Sequence, residues 1–298
     1  MDIVDSIVTE GKELWGGGKG TSLAVIASGW GLLLGARMIY PVLLPYFRET
    51  FDLSLTIAGL LITILWLGSA VGQLPGGILA DRYSERLVMA VSTVLVGVAI
   101  FLVVAAPTAS ILFAATGMVG LGQSLYPIAR ITILSHIYPD RIGSALGVTM
   151  ATGDLGQTLL PPVASVLAVS IAWQAGLSFL IPLLFVVGIG IWVILPASER
   201  ENSGERTFSV ERTRLLVAEF RESNLVFVSV ILILFFLSWQ AFTGFFPTYL
   251  VEVKGLPSST AGLLFSTFFA FGVIVKPLAG AAYDRIGMRN ALVIILAG

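Results

Sequence analysis

GGILADRYSER at 76–86 comes back as AGAAYDRIGMR at 279–289, and AGLL at 58–61 comes back at 261–264, both at one offset of 203 residues (76 to 279, 58 to 261). The register is shared residue by residue. Gly77, Asp81, Arg82 and Arg86 fall on Gly280, Asp284, Arg285 and Arg289, and Tyr46 falls on Tyr249. The repeated stretches are apolar helices ending in a charged loop. Such a duplication within a polytopic membrane protein implies two similar bundles related by an axis, with a site between them.

Composition places the chain in a bilayer. It is 56% hydrophobic and 12% charged, with mean hydropathy +0.95, too apolar for a water-soluble domain of 298 residues. Apolar blocks of the length needed to cross ~30 Å of hydrocarbon at ~1.5 Å per residue recur along it. They lie near 21–46, 54–80, 87–106, 109–135, 143–169, 173–195, 224–249 and 258–283. A ninth begins at Ala291 and reaches only ~12 Å by Gly298, so the chain reads as cut short at its C-terminus. The expected fold is therefore all-α, a pair of pseudo-symmetric helical bundles with eight complete spans and a partial ninth. Its expected divisions are a cytoplasmic N-terminal segment (1–20), a six-helix bundle (21–195), a cytoplasmic linker (196–223) and an incomplete second bundle (224–298).

Lysine and arginine fix the expected sidedness. With the N-terminus in the cytoplasm, that face holds Lys12, Lys19, Arg82, Arg86, Arg141, Arg200, Arg206, Arg212, Arg214, Arg221, Arg285 and Arg289, and the other only Arg48 and Lys254. Both Asp-Arg loops then share one face, as six intervening spans require. A multi-pass protein of the cell membrane is expected. The first twenty residues lack the basic start and short apolar core of a cleaved signal.

Several chemistries find no support. With no cysteine, disulfides and thiolate metal sites are excluded. His136, the sole histidine, has no Cys, Asp or Glu at ligand spacing, so no metal is expected. No phosphate-cradling loop, nucleophile elbow or paired carboxylates occur; neither a catalytic residue nor a cofactor is expected. Net charge −1 does not suggest a nucleic-acid partner. The expected partners are the lipid bilayer, a small solute and protons, with the chain a monomer.

The loop GGILADRYSER resembles the signature G-x-L-x-D-r-x-G-r-k between the second and third helices of the major facilitator superfamily, and AGAAYDRIGMR resembles its fainter copy between helices eight and nine. Ser84 departs from the pattern, which has Gly there. The resemblance implies twelve helices in two bundles, with these loops clasping the opposite bundle; Asp284 would then meet the fifth helix. The physical rationale stands without the family. An acid at a helix C-terminus is disfavoured by the dipole unless arginines or another helix's N-terminus compensate it. The bland alternative is that the arginines serve only as topology anchors.

A narrower resemblance concerns GLGQSLYPIARITILSHIYPDRIGSALG at 120–147 with AWQAGL at 172–177, similar to the fourth and fifth helices of the anion:cation symporter branch. That branch places an arginine three residues after a proline to engage a substrate carboxylate; Pro127 and Arg130 match. Arg141 lacks the branch's preceding acidic run, and Asp154 is not part of its pattern.

Four ionisable side chains fall inside predicted spans: Arg37, Arg130, Asp154 and Lys276. Each costs ~2.5–3.5 kcal/mol at a helix centre, so each must face protein or water. Three positives against one negative leave a cationic excess that an anionic ligand would relieve. The candidate substrate ligands are Arg37 with Tyr40 one turn on, Arg130 with Tyr126 and Gln123 on its face, Gln240 as the repeat counterpart of Arg37, and Lys276 as the counterpart of Gln73. Asp154, with Gln157 one turn on, is the candidate proton-coupling group, because desolvation and a nearby cation pull its protonation in opposite directions. The alternatives are structural: Arg37 bonded to carbonyls freed by Pro41, Arg130 or Lys276 reaching for the interface, and Asp154 in a fixed pair with Arg130 or Arg37. Glycines four apart at 31–35, 68–72, 72–76 and 143–147 allow close helix contact.

The sequence thus predicts a secondary carrier of a small organic anion, coupled to protons by alternating access. Proton-driven efflux is the rival, although GDLGQTLLPP at 153–162 fails the antiporter pattern G-x-x-x-G-P-x-x-G-G. A non-transporting receptor on the same fold is the third reading.

Overall fold

The computed structural model describes residues 14–196 and 223–297, leaving aside the side chains of 17, 74, 75, 78, 80–82, 223–225, 228, 285, 286 and 288–297. The expected linker at 196–223 therefore lies almost wholly outside the described residues, as do the side chains of Asp81, Arg82, Arg285 and Arg289.

The first span is Lys19–Phe51, followed by the second (Leu55–Arg82) and the third (Glu85–Val104). The fourth comes in two pieces, Ala109–Ser124 and Tyr126–Ile137, broken where Pro127 removes a backbone donor. The fifth is Ile142–Ser170, and the sixth a short turn Ala175–Ser178 continuing as Leu180–Ile194. The seventh is Ser223–Glu252, and the eighth runs from Ser258 to a break at Gly287, beyond which the backbone is helical to Ala297. Among the described residues 7 helices are long and apolar enough to cross a membrane, one fewer than expected. The fifth is the discrepancy. Its 29 residues suffice in length, but Asp154, Gln157, Pro161, Pro162 and its glycines lower its apolarity. It packs on two sides against the first and eighth spans, while Leu159, Val163 and Val166 stay exposed.

The two repeated loops turn differently. Gly287 has φ 75 and ψ 165, a region closed to residues with a Cβ. At the matching position Ser84 has φ −71 and ψ 142, and its side chain accepts from Leu87 N as the N-cap of the third span. The departure from the family pattern is thus a change of turn type.

Within the first six spans, the first packs on the fifth and sixth, the second on the fourth, and the third on the fourth and sixth; the seventh and eighth pack on each other and dock on the first and fifth. In lipid, close backbone approach replaces the hydrophobic drive between helices, and the paired glycines supply it. Gly31 and Gly35 of the first span abut Thr152 O and Gly156 O, Gly68 abuts Gly117 O, and Gly143 and Gly147 abut Gly280 O and Lys276 O. A Cβ on Gly156 would overlap the Gly31 carbonyl, backbone against backbone, whereas one on Gly190 would meet Val25 at an ordinary 3.6 Å. Gly156→Ala is expected to cost ~1–3 kcal/mol and Gly190→Ala to be tolerated, measured as thermal midpoints in detergent.

Candidate substrate site between the halves

Arg37 lies midway along the first span. Its guanidinium sits 4.2 Å from the centroid of the Trp66 ring, its Nε donates to Gln123 Oε1 (2.8 Å), and its Nη2 donates to Ser69 Oγ (3.0 Å). Those partners are themselves anchored, because Gln123 Nε2 donates to Leu33 O (3.0 Å) and Ser69 Oγ to Gly120 O (3.2 Å). Spans one, two and four thus hold the fork rigidly through neutral groups.

Arg130 is built the same way. Buried to 4% exposure, it lies 4.0 Å from the Trp30 ring centroid, donates from Nη1 to Thr149 Oγ1 (3.0 Å), and leaves Nε without an acceptor. Trp30 in turn stacks on Tyr126 (6.3 Å, 19°), whose hydroxyl donates to Ile26 O at 2.8 Å. Trp30 and Arg37 are seven residues apart, hence on one face of the first span. Both guanidinium groups border that face, each against an indole, an arrangement favoured by the ring quadrupole. Among the described residues neither meets a carboxylate.

Asp154 pairs with neither arginine. Its Oδ1 accepts from Lys276 Nζ (2.6 Å) and Gln157 Nε2 (3.1 Å), so the fixed pairing weighed from sequence is corrected to a link across the two halves. Its Oδ2 is buried without a partner and occupies the space where a Cβ on Gly272 would stand. Gly272 is the repeat counterpart of Ser69, the residue that binds Arg37 (69 to 272). Lys276 remains 40% exposed against 4% for Asp154, so the two ends of the pair are unequally covered.

The other candidates are placed less openly. Tyr40 and Tyr126 are wholly buried; the Tyr40 hydroxyl lies by Thr116 with no hydrogen bond made, and that of Tyr126 is committed to the first span. Gln240 is bonded to Thr243 of its own helix (3.3 Å). On the side of Arg37 away from the repeated loops, Met38 and Val42 pack with Phe265 and Phe269, flanked by Trp66 and Phe246, and an Arg48–Glu252 ion pair joins the ends of spans one and seven.

On the loop face, Asp284 reaches the start of the fifth span. Gly143 N donates to its Oδ1 (2.8 Å), and Ser144 N (2.6 Å) and Ser144 Oγ (2.7 Å) donate to its Oδ2. Arg141, at the N-cap position, makes no side-chain cap bond. The carboxylate from another helix serves instead, favoured by the positive end of the dipole.

The residues that sequence reasoning missed are neutral: Trp30, Trp66, Ser69, Thr149 and Gly272. A signal for Trp30 existed in its seven-residue spacing from Arg37. Ser69 and Gly272 carry none, since small residues are common in membrane helices.

Membrane-length helices that pack through glycine, in two repeats that meet along one seam, define a polytopic membrane protein. The Major Facilitator Superfamily family model matches residues 25–298, and the chain belongs to that family. It is 26% identical to a nitrite extrusion protein of Bacillus subtilis over 93% of its own length and 67% of that protein's. It is likewise 26% identical to a probable nitrate/nitrite antiporter of Thermus thermophilus (88% and 60%), and 24% identical to a hexuronate transporter of Bacillus subtilis (86% and 62%). In fold it is similar to a bacterial homologue of the lysosomal transporter Spinster, solved inward-facing and unoccupied (TM-score 0.69, 17% identity, 90% and 61%). The D-xylose-proton symporter is similar too (TM-score 0.64, 16% identity, 89% and 69%).

Proposed function

We propose that the protein is a secondary carrier of a small anion, working by alternating access about a site between its two halves and coupled to protons through Asp154, in the cell membrane with its N-terminus cytoplasmic. The observation that carries this reading is the pair Arg37 and Arg130. Arg130 is buried and Arg37 part-buried, each lies over an indole and is bonded only to neutral groups, and no described carboxylate offsets the cost of its charge. An anion supplies that compensation on arrival. Lys276, 40% exposed and bonded to Asp154, is a third cation, at the contact between the halves. Cargo held by Arg37, Arg130 and Lys276 would draw on Gln123 and Gln240 as neutral donors, with Tyr40 and Tyr126 shaping the walls. The loop pair Gly77, Asp81, Arg82, Arg86 and Gly280, Asp284, Arg285, Arg289 gates the cytoplasmic side, with Asp284 on the fifth span as the visible clasp. The anionic cargoes in the relatives' names, nitrate, nitrite and hexuronate, support the charge of the cargo. Organic and inorganic anions are therefore both tested.

Proteoliposomes holding the full-length protein provide the test. An imposed proton gradient is expected to drive flux of nitrite, nitrate or a hexuronate, and not of a neutral sugar or an organic cation. Equal flux of a neutral sugar would sink the reading. Proton-driven movement of cationic drugs alone would favour the efflux rival, and absence of all flux the receptor.

A further inference from the structure

An apolar groove of about 510 Å³ runs along the outer surface between the third and sixth spans, away from the site described above. Its walls are Leu87, Val91, Val94 and Val98 on one helix and Ile189 and Trp192 on the other. The floor forms where Gly188 lets the sixth span approach; a Cβ there would stand 2.8 Å from Thr93 Oγ1. Exposure of Val91 (45%), Ile189 (62%) and Trp192 (48%) shows that the groove opens sideways, toward lipid.

Its dimensions and its mouth are informative. From Leu87 to Val98 the third span rises ~16 Å, close to half of a ~30 Å hydrocarbon core. The groove is thus as deep as one leaflet. At its loop-face end Arg86 lies 4.4 Å from the centroid of the Trp192 ring and donates from Nη1 to Leu195 O (3.3 Å), while its Nε is buried with no acceptor. A cation therefore stands where a lipid headgroup meets its chains.

We propose that this groove is a binding site for one anionic phospholipid of the loop-face leaflet, with an acyl chain along the third and sixth spans and the phosphate on Arg86. Basic pockets between membrane helices on that side hold acidic headgroups by the same physics, and the tail contributes non-directional burial. A zwitterionic lipid offers Arg86 the same phosphate but carries its own cation beside it, so its net attraction to Arg86 is weaker. The occupied groove cements the seam between two helices of the first bundle.

Native mass spectrometry of the protein released from mixed phosphatidylglycerol and phosphatidylcholine micelles tests this. One retained phosphatidylglycerol per chain is expected, in preference to phosphatidylcholine. Arg86→Gln should lower that preference about 5-fold, equivalent to about 1 kcal/mol, with phosphatidylglycerol retention falling more than that of phosphatidylcholine. Val91→Trp, at an exposed wall position, should expel both lipids by filling the groove. Equal retention of the two lipids by the parent protein overturns the proposal, as does either variant keeping the parent's preference and occupancy.

Discussion

Arg37→Ala is expected to lower anion flux at least ~100-fold while leaving the protein as stable as its parent or more so, a split that a structural arginine could not produce. A hundredfold corresponds to ~2.7 kcal/mol, within reach of a bidentate charge-assisted contact in a site of low dielectric. The stability half follows from the same geometry. Arg37 is bonded to Gln123 and Ser69, and both of those keep a second partner in Leu33 O and Gly120 O when it is gone. Only Gln123 Oε1 is left without a partner, at ~1–3 kcal/mol, and this is offset by removing an uncompensated charge from the membrane interior, ~2.5–3.5 kcal/mol. Sites kept strained for function commonly behave this way. Arg37→Lys should rescue little, because an ammonium cannot span Gln123 and Ser69 while lying flat on Trp66. The readouts are initial flux in proteoliposomes and the thermal midpoint in detergent. A large fall in midpoint with flux retained would assign Arg37 to the fold instead.

The architecture was legible because its signals are periodic or repeated. Span lengths, the 203-residue register (76 to 279) and glycines four apart all report on backbone packing, and the structure places those glycines at helix seams. The fifth span shows the limit. Its apolar content is low because it faces protein on two sides, so composition alone undercounts it. At the site, sequence located the charges but not the partner of Asp154. The structural alternative set Asp154 against Arg130 or Arg37, yet the partner lies in the second bundle, brought across by the antiparallel run of spans five and eight. No periodicity within one helix encodes such a contact. The contact of Asp284 with the fifth span is expected from the family resemblance, in which these loops clasp the opposite bundle; the dipole argument alone leaves nearby arginines as the other compensation.

That cross-bundle pair makes the last prediction, which depends on the unequal exposure of its ends. Lys276→Met should destabilise the protein by ~3–5 kcal/mol, the cost of stranding one partner of a buried ion pair, because Asp154 is 4% exposed and its Oδ2 already lacks a donor. Asp154→Asn should cost distinctly less, because Lys276 at 40% exposure can turn to water and Gln157 can still bond the amide. The double variant should recover most of the Lys276→Met loss, a coupling that a double-mutant cycle of thermal midpoints reads directly. Flux separates the functional role from the structural one. If Asp154 couples transport to protons, Asp154→Asn should retain downhill anion exchange and lose its response to an imposed proton gradient, and the double variant should stay uncoupled although refolded to near-parent stability. A double variant that regained gradient-driven uptake would show that the pair only fastens the two halves together, and that the proton is carried elsewhere.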